Sequence, residues 1–202
     1  MDFKEGESVY TSDGTEAGRL HRVVIDPETH AVTHIVIQRG LLNKEDKVVA
    51  VEKIISSLQD GVILDCSAEE LNEMAPLNTT HLVPMTGSGG RDTYVSGAPG
   101  SFLNQSPEDY VVEEITRTIP EKLVALKEGA QVVSADDDQV GNIERVVTDP
   151  QTLQVTHFIV SQGLLRKVRK IVPIGWVSMW DEDKVFLEVG TQQLKELPEF
   201  EE

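Results

Sequence analysis

Residues 9–37 read VYTSDGTEAGRLHRVVIDPETHAVTHIVI, and residues 132–160 read VVSADDDQVGNIERVVTDPQTLQVTHFIV. The two stretches share Gly18/Gly141, the RVV runs at 22–24 and 145–147, Asp26-Pro27/Asp149-Pro150 and Val32-Thr33-His34/Val155-Thr156-His157, always at an offset of 123. Extended outward without a gap, residues 4–73 agree with 127–196 at about 26 of 70 positions. Agreement at that level and in constant register implies one small unit folded twice.

Each unit reads as β. Val9-Tyr10 is a short strand, and the SDGTEAG that follows is a turn supplied by Asp13 and Gly14. Arg19–Asp26 is a second strand, closed by Asp26-Pro27, where proline has no N–H for a ladder. Val32–Gln38 is apolar on both faces, as inside a strongly curled or closed sheet, and Lys47–Val51 and Gly61–Asp65 complete the set. Ser67, with Glu70 three residues on, starts a short helix that stops by Pro76. The second unit repeats the scheme at Val132, Ile143–Asp149, Val155–Ser161, Lys170–Ile174 and Lys184–Val189, ending in a turn toward Pro198. Asp137 stands where the first unit has Gly14, so that turn is expected to be altered.

The pattern V-Y-x-x-D-G-x-x-x-G-R-L-x-R-V-V-I-D-P-E-T-H-x-V-T-H-I-V-I, its second version at 132–160, and the G-L-L-x-K stretch after each resemble the PRC-barrel domain. That domain is named for the cytoplasmic part of the photosynthetic reaction-centre H subunit and also occurs in a ribosome maturation factor. The resemblance covers about 140 of the 202 residues. It implies an all-β fold of two small six-stranded PRC-type barrels with short terminal helices, used for protein–protein contact and without shared catalytic residues. The expected boundaries are residues 1–77 for the first barrel, 78–120 for a connecting segment and 121–202 for the second.

The connecting segment has two compositions. Residues 78–105 are rich in Gly, Ser, Thr and Pro, which is linker composition. In SPEDYVVEEITRTIP, Ser106, Pro107 and Asp109 fit a helix start, and Tyr110, Val111 and Ile115 fit one apolar face, so a short linker helix is predicted over about 107–117.

With 18 Lys+Arg against 35 Asp+Glu, the formal net charge is −17, which opposes nucleic acid as a partner. No apolar run reaches the length of a membrane span, and the opening MDFKEGESVY is acidic where a signal peptide is basic and then apolar. The one cysteine, Cys66, forms no internal disulfide. The expected location is the cytoplasm, with any membrane-associated complex reached through a protein partner rather than by insertion.

Nothing in the sequence supports catalysis or a cofactor. His34 and His157 occupy equivalent positions but lack the further ligands that zinc requires. Asp136-Asp137-Asp138 lacks the spacing of a calcium loop and reads as a solvated hairpin tip. TGSGGR at 86–91 is not a phosphate-binding loop, and no nucleophile elbow occurs. The divergent positions are the candidates for partner binding. Arg166, Lys167, Arg169 and Lys170 make a basic patch where the first unit has Asn43, Lys44, Asp46 and Lys47. Trp176 and Trp180 replace Lys53 and Ser57; Trp176 is assigned to packing and Trp180 to the surface as an aromatic anchor. The expectation is a non-enzymatic adaptor whose barrels also pair with each other. The alternatives are a ribosome-maturation-type assembly factor and a small-ligand-binding or enzymatic protein.

Overall fold

In each repeat a ten-residue strand is the organising element, because it is long enough to serve two neighbours on one edge. The computed structural model describes residues 1–4, 6–40, 44–58, 61–85, 110–127, 129–163 and 168–200. The first repeat contributes β1 (Asp2–Lys4), β2 (Ser8–Tyr10), β3 (Glu16–Ile25), β4 (Val32–Arg39), β5 (Glu45–Ala50), β6 (Ile54–Leu58), β7 (Gly61–Leu64) and helix α1 (Ala68–Glu73). After β8 (Asn78–Met85) and β9 (Tyr110–Arg117), the second repeat contributes β10 (Val124–Lys127), β11 (Gln131–Val133), β12 (Gln139–Thr148), β13 (Val155–Gln162), β14 (Val168–Pro173), β15 (Val177–Trp180), β16 (Lys184–Leu187) and helix α2 (Thr191–Lys195). The fold is all-β, with two short helices.

The first sheet runs β5-β4-β3-β2-β7-β6, with β10 added on β3; the second runs β14-β13-β12-β11-β16-β15, with β1 added on β12. The two orders are the same under the 123-residue offset. Bulges fall at matching places, between Leu20 and Arg22 and between Ile143 and Arg145. The core is built from inward positions of both repeats, among them Val9, Ile25, Ile35, Leu64, Phe158, Val160 and Val185, all nearly inaccessible to solvent.

Neither ladder closes into a barrel through described strands. The order stops at β5 and β6 in the first sheet and at β14 and β15 in the second. The reason lies at the β5 and β14 edges, which are occupied by chain that follows each helix. Leu77 N–H donates to the Asp46 carbonyl at 3.0 Å and Val48 N–H to the Ala75 carbonyl at 3.1 Å. In the second repeat Phe200 N–H donates to the Arg169 carbonyl at 2.9 Å, and Lys170 bridges Glu199. Backbone groups satisfied this way are not available to a closing strand.

Local chemistry explains the helices and turns. Ser67 and Glu70 form the capping box that the sequence predicts for α1. Asp137 keeps the turn of Gly14. Both are left-handed, with φ of 63° and 80°, and their N–H groups donate to the carbonyls of Ser134 and Thr11 at 3.0 and 2.9 Å. The turn is therefore not altered, because aspartate tolerates this conformation better than most residues.

The predicted linker helix is not formed. Tyr110–Arg117 is the strand β9, and Asn78–Met85, inside the segment read as linker, is its antiparallel partner β8 in register from Asn78↔Arg117 to Met85↔Tyr110. Val111, Val112, Ile115 and Thr116 are β-branched, and β8 offers a partner of equal length in register, which outweighs the helix-start signal at Ser106. Positions 107–109 lie outside the described residues. Asn78–Arg117 form a compact unit separate from that of Met1–Leu77 with Thr118–Glu202. Among the described residues, no helix is long and apolar enough to cross a membrane.

Candidate interaction surface

The sequence-predicted basic patch is divided by the fold. Lys170 is buried, and its Nζ donates to the Leu197 and Lys195 carbonyls at 2.6 and 3.4 Å, beyond the last turn of α2. Its counterpart Lys47 donates to the Asn72 and Met74 carbonyls at 2.9 and 3.0 Å. In both repeats the ammonium satisfies carbonyls left over at a helix C-terminus, a structural use of the charge. Arg169 is forked onto the buried carboxylate of Glu144, with Nε at 2.9 Å from Oε1 and 3.1 Å from Oε2. The first repeat holds His21 and Asp46 at the same two positions, 3.2 Å apart, so the site keeps a polar pair with the carboxylate moved to the other position. Arg166 and Lys167 lie outside the described residues.

Trp180 is half-buried rather than free at the surface. Its ring meets Phe158 edge-on at 5.6 Å and His30 of the first repeat at 6.0 Å. Trp176 is partly buried against the core, as a packing residue.

The acidic tip Asp136–Asp138 works as a helix cap. Asp136 Oδ2 accepts the Thr191 N–H at 2.7 Å, and Asp138 Oδ2 accepts the Thr191 hydroxyl at 3.2 Å. Gly190 stands where the first repeat has the capping Ser67, and a Cβ there would approach Asp136 Oδ2 to 2.7 Å. The cap lost with the serine is thus provided by a neighbouring loop. His34 and His157 each share a hydrogen bond with the preceding threonine hydroxyl, at 3.0 and 2.9 Å. Burial pushes the His157 imidazole below its ordinary value, with Asp2 opposing. Among the described residues no group of His, Cys, Asp and Glu is placed to hold a metal. Cys66 is buried and its thiol is pushed up by that burial, which suits a packing residue and not a nucleophile. The TGSGGR stretch lies outside the described residues.

Reading from the sequence assigned no strand before Val9, and so missed the feature that joins the repeats. β3 is shared along its length: β2 pairs with its first half, and β10 with its second, at Val124↔Ile25 through Lys127↔Arg22. β12 is shared in the same way by β11 and β1, at Asp2↔Val147 through Lys4↔Arg145. Each repeat therefore receives its first strand from the other. Phe3 and Leu126, equivalent under the offset, are the apolar anchors of the exchanged strands and are 1% and 2% exposed.

At the centre Ala31 bridges Gln154, two residues that are each other's counterparts and so lie on the pseudo-twofold axis. His30 and Leu153 beside them are both left-handed, with φ of 59° and 58°, and their carbonyls accept from Val155 and Val32 N–H at 2.9 and 3.0 Å. The unusual backbone thus serves the crossing bonds. The signals for this seam are the D-P-x-T turns and the shared lysines, Lys4 and Lys127, that end the exchanged strands.

Charge lines the seam. Arg22 reaches Glu182 of the other repeat at 2.9 Å, and Arg145 reaches Asp2 at 3.5 Å with its guanidinium 5.8 Å from the Phe200 ring centre. Glu7 accepts the Lys4 N–H at 3.0 Å. Burial pushes its carboxyl up to about 7 against the pull of that N–H and of Arg145. The crevice among Leu20, Arg22, Leu126 and Ile143 is partly open to solvent and has a volume of about 20 Å³, room for about one water. Among the described residues, large outward-facing apolar side chains are Ile55 and Ile63 on the outer hairpin of the first repeat, Met179 on that of the second, and Ile115 on β9.

Compared with known proteins, the chain has no match among curated sequences. Residues 5–71, about a third of the chain and nearly all of the first repeat, match the PRC-barrel domain. The chain contains a PRC-barrel domain at its first repeat.

Proposed function

We propose that the chain is a non-catalytic assembly module: two PRC-type units in tandem, joined by strand exchange, that bind a protein partner by surface complementarity. The observation that carries this reading is the PRC-barrel domain at residues 5–71, a fold often used for interaction and assembly. Two features support it. The charged and nucleophilic groups inside the repeats, Lys47, Lys170, Arg169, Glu144 and Cys66, are engaged in holding the fold. The same outer hairpin in both repeats presents apolar side chains to solvent, at Ile55, Ile63 and Met179. The partner side is a cytoplasmic protein surface, including that of a membrane-associated complex. The net charge of −17 disfavours nucleic acid in this role.

The test is affinity capture from native lysate with the intact chain, the Ile55→Asp/Met179→Asp variant and the Arg166→Glu/Lys167→Glu variant. A discrete protein retained by the intact chain and lost with either variant is the expected result. Recovery of nothing but the bait overturns the adaptor reading.

A further inference from the structure

The seam between the repeats has the geometry of a two-subunit interface inside one chain. Strand donation is reciprocal, the registers coincide under the offset, and the bridge Ala31↔Gln154 lies on the axis. A patch that is self-complementary in this way is the isologous type found between identical subunits. The contacts that hold it are a β ladder at each exchanged strand, the buried anchors Phe3 and Leu126, the crossing bonds of Val32 and Val155, and the pairs Arg22–Glu182 and Arg145–Asp2. All lie in the unit formed by residues 1–77 and 118–202, and none involves residues 78–117. The covalent connection therefore adds proximity, equivalent to an effective concentration of the order of millimolar, without adding a contact to the seam.

We infer that the seam is a repeat-recognition surface in its own right, which holds the two halves together without the covalent connection and accepts the matching half from a second copy of this chain. A strand given by one repeat to the other can be given equally across two chains, because the acceptor edge of β3 or β12 is the same in both cases. The intact chain closes on itself because its own half is always nearest; a chain opened or cleaved between the repeats exchanges. This inference does not rest on the adaptor reading: capture of a foreign protein, or its failure, leaves it untouched.

The test uses the full chain with a specific protease site introduced between residues 95 and 100. After cleavage, size-exclusion chromatography and native mass spectrometry at micromolar concentration are expected to show one species containing both pieces. Mixing with isotopically labelled cleaved chain, near the denaturation midpoint and then back in buffer, is expected to give hybrids of one labelled and one unlabelled piece. The thermal midpoint of the cleaved chain is expected to rise with concentration while that of the uncleaved chain stays constant. The Phe3→Asp/Leu126→Asp variant, once cleaved, is expected to dissociate with an affinity at least 100-fold lower. Should that variant fail to fold, the concentration dependence of the unmodified cleaved chain decides the matter. Pieces that elute separately, a labelled mixture without hybrids, or a midpoint independent of concentration overturns the inference.

Discussion

Four residues bear strain or charge whose effect on stability is measurable. Asp137 holds φ of 63° where its counterpart is Gly14, and a left-handed residue with a Cβ is less stable there than glycine. Asp137→Gly is expected to stabilise the fold by about 0.5–1 kcal/mol, read from chemical denaturation; a loss would mean that the side chain makes a contact worth more than the strain. Glu7 is a carboxyl raised from its ordinary 4.5 to about 7 by burial at the seam. Between those values the folded state keeps a proton that the unfolded state has released. Its contribution is thus complete below pH 4.5 and is lost as pH rises through about 7. Asp26 and Asp149 act in the opposite direction. Their carboxylates are held low chiefly by the turn N–H groups of Glu28 and of Thr152 and Gln151, so their stabilisation is present above the ordinary aspartate range and is lost on acidification. Glu7→Gln is expected to flatten the fall in stability between pH 5 and 7 while leaving the acid limb intact, as measured by denaturation across pH.

At the scale of elements, the two repeats solve the same local problems with different residues. α1 carries its own cap in Ser67, whereas α2, only five residues long, takes its cap from Asp136 in the loop between β11 and β12. Asp136→Ala is expected to cost about 1 kcal/mol and to fray α2, with amide exchange increased at Thr191–Lys195. Ser67→Ala should have a like effect on α1 and none on α2. The pair at positions 21/46 and 144/169 makes the same point: His21–Asp46 and Glu144–Arg169 share a place with the carboxylate on the opposite member. Arg169 looked like a free partner-binding charge because its carboxylate lies 25 residues away in sequence and becomes a neighbour only through the pairing of β12, β13 and β14.

For the molecule as a whole, strand exchange makes one cooperative unit of two repeats. The main core cluster has side chains from both halves, with Phe3 inside the second repeat and Leu126 inside the first. Phe3→Ala is expected to destabilise by about 3–5 kcal/mol, and to lower the transition seen by far-UV circular dichroism and that seen by Trp176 and Trp180 fluorescence together. Separate midpoints for the two probes would mean that the repeats unfold independently. The sequence alone determined the duplication, the strand character of residues 9–37 and their copy, and the capped helix at Ser67. These depend on local periodicity, turn chemistry and capping, which act over a few residues. Only the tertiary structure decided that β8 and β9 pair where a helix was predicted, that Lys170 and Arg169 are engaged inside the fold, that Trp180 faces His30, and that each repeat takes its first strand from the other. Those outcomes are set by pairings between residues tens to more than a hundred positions apart, where the partner that satisfies a backbone edge or a buried charge leaves no local mark on the chain.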